Sequence, residues 1–240
     1  MKVVLFALFI ALLLVGCEQE GQSVGSDGEV EDKPFLPSLP SLSLNESKFE
    51  RTKRLAESGN IKAQHNLGFM YENGKGVPED DKEAVKWYAR AAEQGLAKAQ
   101  SNLGNRYYNG EGVPQDYKEA VKWYTKAAEQ GLAGTQFNLG MMYHVGKGVP
   151  QDNKHAVKWY TKSAEQGYAD AQLNLGIMYL KGDEVIQDYV TAYAWLKANG
   201  SANGAKGMDL AKKLMTKEQI AEAQKLAREI FKRTEANRKD

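Results

Sequence analysis

The sequence predicts an all-α fold, a right-handed α-solenoid of four 36-residue helix-turn-helix repeats closed by a C-terminal helical cap. Three observations predict it. Leu67, Leu103, Leu139 and Leu175 recur at a spacing of 36, each followed by glycine, and the same spacing relates Tyr71, Tyr107, Tyr143 and Tyr179 and all four tryptophans, Trp87, Trp123, Trp159 and Trp195. Within each period the apolar residues follow the rhythm of an amphipathic helix. Proline is scarce: four of the six (Pro34, Pro37, Pro40, Pro78) precede position 79, which leaves the remainder permissive for helix and argues against an all-β fold.

The N-terminal segments come first in the chain and stand outside this pattern. Lys2, the apolar run from Val3 to Val15, and then Gly16 and Cys17 give a charged start, 13 hydrophobic residues and a small residue before the break. A permanent membrane helix needs about 20 residues, so residues 1–16 read as an export signal. Residues 18–46 hold seven acids and one base, Lys33, a net of −6, with Gly, Ser and Pro but no apolar period. With Cys17 they predict a disordered tether, 17–46, reaching up to roughly 95 Å if fully extended at about 3.3 Å per residue. Phe35, Leu36, Leu39, Leu42 and Leu44, set among three prolines, have the composition of a polyproline-like strip.

The repeats are bounded at 60–95, 96–131, 132–167 and 168–203, after a leading half-unit at 47–59 whose LAESG echoes AAEQG. In each, helix A is typified by Ala97 to Asn109, where Ala99, Leu103 and Tyr107 form one stripe and Gly104 admits a close neighbour. The turn NGEGVPQD follows. Gly110 and Gly112 supply positive-φ capacity, Val113 plugs the gap between helices, and Pro114 stops the helix. Asp116 caps helix B, as do Asp80, Asp152 and Asp188 in their units, and Glu119 is expected to complete a capping box. Helix B buries Ala120, Trp123 and Tyr124, and Gly131 ends the unit. In the fourth unit Glu184 replaces the second turn glycine, Ile186 the proline and Leu196 the tyrosine, a decay expected where the next neighbour is missing. The cap, 204–240, reads as a helix from Ala205 to Met215, a capping box of Thr216 with Gln219, and a helix from Glu218 to Arg233 that buries Ile220, Ala223, Ala227, Ile230 and Phe231.

Residues 47–240 carry +6, of which +4 falls within 205–240. No aromatic is interleaved with those bases, so they read as a solvated helix pair rather than a nucleic-acid surface. The single cysteine, Cys17, removes intramolecular disulfides and multi-cysteine metal sites. His65, His144 and His155 lie on different repeats with no ligand spacing, and no metal or cofactor is expected. The GKGVP turns lack the Lys-Ser/Thr ending of a phosphate loop and follow helices, not strands. Glu93, Glu129 and Glu165 recur with the period and belong to the repeat. No catalytic set emerges, and the chain is not expected to be an enzyme.

What varies between repeats is the far side of helix A. At about 100° per residue, with Ala99 at zero, Leu103 and Tyr107 fall near ~40° and ~80°, whereas Ser101, Asn105 and Tyr108 fall near ~200°, ~240° and ~180°. These slots, predicted to line the concave surface, hold His65, Phe69 and Glu72 in the first unit, Phe137, Met141 and His144 in the third, and Leu173, Ile177 and Leu180 in the fourth. The partner-binding residues are therefore expected to be Phe69, Ser101, Asn105, Tyr108, Phe137, Met141, His144, Leu173, Ile177 and Leu180. An alternative stays open, that the C-terminal helices fold over Leu173, Ile177 and Leu180.

The phrase LGxxYxxGxGVPxDxxxAVKWYxKAAEQG, almost intact in the second and third units, resembles the Sel1-like repeat family, relatives of the tetratricopeptide repeats. Arg90 and Ser163 are small departures, and the resemblance covers residue 47 to about 200. LMTKEQIAEAQKLA resembles the closing helix common in that family. Leu14-Val15-Gly16-Cys17 resembles the lipobox of bacterial lipoproteins, which implies that Cys17 receives a diacylglycerol and becomes the mature N-terminus; Glu18, not being Asp, implies transfer to the outer membrane. Together the resemblances imply a non-enzymatic scaffold or adaptor of the bacterial envelope, facing the periplasm, touching the membrane only through its lipid and binding a protein of envelope assembly or signalling. A second reading they imply is an immunity lipoprotein that neutralises a secreted antibacterial phospholipase effector. A remote third is the β-lactamase or penicillin-binding activity described for cysteine-rich members, whose disulfide in each repeat has no counterpart here.

Overall fold

The computed structural model describes residues 46–182 and 186–237, and among these residues every element is helical. A leading helix α1 (Lys48–Glu57) is followed by four pairs: α2 (Ile61–Glu72) with α3 (Asp81–Glu93), α4 (Ala97–Asn109) with α5 (Tyr117–Glu129), α6 (Ala133–Val145) with α7 (Asn153–Glu165), and α8 (Ala169–Lys181) with α9 (Tyr189–Asn199). The chain closes with α10 (Ala202–Lys213) and α11 (Lys217–Asn237). The expected helix from Ala205 thus begins three residues early, at Ala202, because Ser201 accepts the Gly204 N–H and caps it.

Capping divides the two helix types. Each B helix starts on an aspartate: Asp116 Oδ1 accepts the N–H groups of Lys118 and Glu119 at 2.8 and 3.1 Å. The reciprocal half of the expected box does not form. The Asp116 N–H donates instead to the Tyr107 carbonyl at 2.9 Å, tying the turn back to helix A, and Glu119 turns outward to Lys122 at 3.1 Å. The full box does form at Thr216 and Gln219, each of which accepts the other's backbone N–H.

The core runs through the repeats as a line of equivalent contacts. Leu67, Leu103, Leu139 and Leu175 are buried, and each tryptophan reaches back to the preceding unit, as Trp123 does to Tyr88 and Ala91 of α3. Gly104 is needed where expected, because a Cβ there would sit 2.6 Å from the Tyr124 ring of its own B helix. Gly112 is constrained twice, by a φ of +71° and by the Asp81 carbonyl of the preceding repeat, which any side chain would overlap. A buried glutamine ladder binds the stack further. Gln100 Nε2 donates to the Ala92 carbonyl at 3.0 Å while its Oε1 accepts from Gln130 at 2.7 Å, and Gln64 and Gln136 repeat both contacts. Paired in this way, buried amides stabilise the stack instead of penalising it.

The cap completes the last repeat. Ala227 and Ile230 of α11 join Tyr160, Leu175 and Trp195 in one cluster, and the Asn237 side chain donates to the Glu165 carbonyl at 2.9 Å. Ala211 of α10 and Ala223 of α11 pack with Tyr193, and Leu180 of α8 lies against this cluster. Phe231, expected inside, is 53% exposed.

Candidate functional site

The A helices place their variable slots side by side, and each junction between repeats fills them differently. At the first junction Arg106 of α4 stands where the other repeats carry Met70, Met142 and Met178. It is 7% exposed and meets three carboxylates: Glu72, Asp81 at 2.9 Å and Glu111 at 2.9 Å. Glu72 also accepts the Tyr88 hydroxyl. Burial pushes that hydroxyl up to about 12, so it stays a neutral donor.

At the second junction the same four positions hold Tyr108, Tyr117, Met142 and Lys147. The two tyrosine rings lie 5.3 Å apart, and the Lys147 ammonium sits 5.1 and 5.0 Å from their centroids and 3.3 Å from the Tyr108 hydroxyl. These contacts raise the Lys147 pKa above its ordinary value, the Tyr108 hydroxyl first. Tyr108 is thus half-buried in a lock between repeats, not wholly offered to a partner.

Between the third and fourth units the equivalent positions hold His144, Asn153 and Met178, with His144 and Asn153 2.9 Å apart, and a hollow remains beside them. A cleft of about 280 Å³ separates α6 from α8, lined by Met141, His144, Val145, Tyr160, Asn174, Ile177, Met178 and Lys181. Tyr160 forms its floor. In the second repeat the equivalent Tyr124 hydroxyl donates to Asn105 at 2.7 Å; in the third, Met141 occupies the Asn105 slot. The Tyr160 hydroxyl, buried with the residue only 1% exposed, therefore makes no hydrogen bond of ordinary geometry. Burial pushes its pKa up to about 12, and the neighbouring Asn174 amide pulls the other way.

The ten expected residues do not form one continuous surface. Met141, His144 and Ile177 line this cleft, and Phe137 continues it along α6, packed against Tyr160 and Tyr168 at 5.7 and 5.2 Å between ring centres. Leu173 is half-buried on α8. Ser101, Asn105 and Tyr108 are engaged within the protein, Ser101 accepting from Thr135 at 2.7 Å. Leu180 is taken by the cap, so the folded-over alternative holds for that residue. Phe69, 40% exposed, lies apart beside Phe49 and Met70 in a second hollow of about 570 Å³ under α1, with Lys75 4.6 Å from its ring. Cys17 and the lipobox lie outside the described residues.

Tyr160, Asn174, Met178 and Lys181 were not among the expected site residues. A signal for Tyr160 was present: the change from Asn105 to Met141 removes the tyrosine's acceptor. The histidines are used locally, His144 with Asn153 at 2.9 Å and His155 with Asp152 at 2.6 Å, while burial lowers the pKa of His65. Among the described residues no group of three or more His, Cys, Asp and Glu is placed to hold a metal ion, and no helix is long and apolar enough to cross a membrane.

A Sel1 repeat model matches residues 61–96, 97–132, 133–168 and 169–198. Among solved structures, a protective antigen of uropathogenic Escherichia coli strains displaying this repeat fold is 35% identical over 79% of the chain, with a TM-score of 0.70. The chain spans only 42% of that protein's length. A Sel1 repeat protein from Oxalobacter formigenes is 35% identical over 77% of this chain and 78% of its own, with a TM-score of 0.63. No curated protein matches significantly. Four matched units, stacked as paired helices with their core slots in register, make this chain a member of the Sel1 repeat family, whose repeats mediate protein–protein interaction.

Proposed function

We propose that this protein is a non-enzymatic scaffold that holds a partner protein on its A-helix face, centred on the cleft between α6 and α8. The observation that supports this most is the contrast between junctions. Where ions or stacked rings fill the slots earlier in the chain, His144, Asn153 and Met178 stand here, His144 meeting Asn153 at 2.9 Å, and Met141 and Ile177 flank an open hollow beside them. Phe137 extends the apolar track toward the start of α6. The scaffold is further proposed to be an exported lipoprotein anchored through Cys17 at the outer membrane, on the strength of the lipobox resemblance; Cys17→Ser then releases it from the membrane fraction. To test the face, partners captured from envelope extract by the wild type are compared with those held by the Tyr108→Ser, Phe137→Ser, Met141→Ser triple variant. Loss of a partner with the helical content unchanged supports the reading. Retention of every partner moves recognition to the B helices or the tether.

A further inference from the structure

We infer that the hollow between α9 and α11 is a docking site for an acidic segment of a partner protein, one that carries an apolar side chain between carboxylates. It shares no lining residue with the α6/α8 cleft, and the inference is independent of the A-face reading. Shape is the first ground. A hollow of about 380 Å³ opens between the two helices, with Lys197 and Ala198 of α9 on one side and Ala227, Arg228, Phe231 and Lys232 of α11 on the other. That volume admits one large side chain and its neighbours. Phe231 is the second ground. It follows Ala227 and Ile230 along α11, yet those two enter the core beside Trp195 while Phe231 keeps 53% of its surface exposed. A lone exposed ring means little. One that walls a hollow offers an apolar side chain a place to bury itself.

Charge is the third ground, and it selects the occupant. Lys197, Arg228 and Lys232 bring three cations to one hollow, from both of its sides. Glu229 and Glu235 of the same helix form no ion pair with Arg228 or Lys232, and Lys197 makes only a loose contact with the Tyr193 ring, 5.8 Å from its centroid. Carboxylates on either side of an inserted apolar residue therefore reach cations on both helices. Each such exposed pair contributes a factor of about two to five, so three together give about tenfold. A bilayer surface is the weaker candidate. Helix α11 carries five bases and four acids, and a planar anionic surface averages over all of them, whereas a segment entering the hollow meets Lys197, Arg228 and Lys232 first. Membrane contact also needs apolar groups that stand proud of the surface, and Phe231 walls a hollow instead.

The test uses the full chain carrying Cys17→Ser, so that no acyl group reaches a vesicle, at low ionic strength. Three peptides are followed by NMR at the Ala198 and Ala227 methyls and the Phe231 ring: acetyl-Gly-Glu-Glu-Phe-Glu-Glu-Gly-amide, its Gln counterpart, and the acidic peptide with Ser in place of Phe. The first should shift these signals and bind about tenfold more tightly than either of the others, with the advantage over the Gln peptide shrinking as salt is added. Phe231→Ser and the double variant Arg228→Gln, Lys232→Gln change exposed side chains, and each should weaken that binding about tenfold while the unfolding midpoint of the free protein is preserved. Equal binding of the Glu and Gln peptides removes the cations from the site and overturns the inference. Equal binding of the Phe and Ser peptides reduces it to unspecific charge attraction and overturns it as stated. Capture by phosphatidylglycerol vesicles that both variants abolish makes this face a membrane contact and overturns the peptide reading. Absence of any shift with the first peptide overturns it outright. None of these outcomes bears on the A-face reading, which stands or falls on the triple variant.

Discussion

The junction between the first and second repeats and that between the third and fourth share a scaffold yet do different things with it. Both place a tryptophan of the later unit against the earlier B helix and a leucine at the centre of helix A. At the first, Arg106 draws Glu72, Asp81 and Glu111 together and Glu72 takes the Tyr88 hydroxyl, so the carboxylates around the slot are engaged inside the protein while Arg106 Nε itself makes no hydrogen bond. At the other, His144, Asn153 and Met178 stand in the corresponding slots, a hollow remains beside them between Met141 and Ile177, and the Tyr160 hydroxyl makes no hydrogen bond of ordinary geometry. The difference teaches that repeat identity sets the stack, while a few slots on helix A decide whether a junction is a lock or a mouth.

The largest effects should be the same at both places, since they belong to the shared scaffold. Trp123→Ala and Trp195→Ala each remove a buried indole, 8% exposed in both cases, and should each cost roughly 3 to 5 kcal/mol in denaturant unfolding. A loss below about 1 kcal/mol at either position would break the equivalence.

Arg106→Met places in the second repeat the residue its siblings carry, and should still destabilise the protein by about 2 kcal/mol. It leaves three carboxylates facing one another, and their partial exposure keeps the cost below that of a fully buried broken pair. Adding Glu72→Tyr, Asp81→Tyr and Glu111→Lys, together with Phe69→Asn to give Tyr88 the acceptor that Tyr124 has in Asn105, copies the second junction onto the first and should recover stability to within about 1 kcal/mol of wild type. A combined variant no more stable than the single one would show that the slots do not act as a set.

The smallest effect is the sharpest contrast. Tyr124→Phe deletes the hydrogen bond to Asn105 and should cost about 1 kcal/mol, whereas Tyr160→Phe deletes a hydroxyl without an acceptor and should be neutral within about 0.5 kcal/mol or slightly stabilising. Equal losses measured by thermal unfolding would mean that Tyr160 is as well partnered as Tyr124.

Much of this was legible because repeat cores are local. Leu103, Gly104 and Tyr107 show their period directly, and Asp116 and Gly112 mark the turn in every copy that keeps them. What a helical wheel lacks is the neighbour. Asn105 falls on the outer side of an isolated α4, yet the Tyr124 ring lies over Gly104 and brings its hydroxyl to that same side chain. Leu180 looks free until α10 and α11, far along the chain, pack against it with Tyr193. Glu119 has the spacing of a capping box, but the N–H it would accept is already given to Tyr107. The glutamines 64, 100, 136 and 172 carry a period of 36 as plain as that of the leucines, but a polar side chain enters a core only where a stacked neighbour supplies its hydrogen bonds.

The measurement that bears most directly on the lock and the mouth is amide hydrogen exchange of the protein with and without its captured partner. The account predicts new protection along α6 and α8, around Met141 and Ile177, and unchanged exchange in α2 and α4, where Arg106 already holds the junction closed. Protection confined to α2 and α4, or to the B helices α5 and α7, would contradict it.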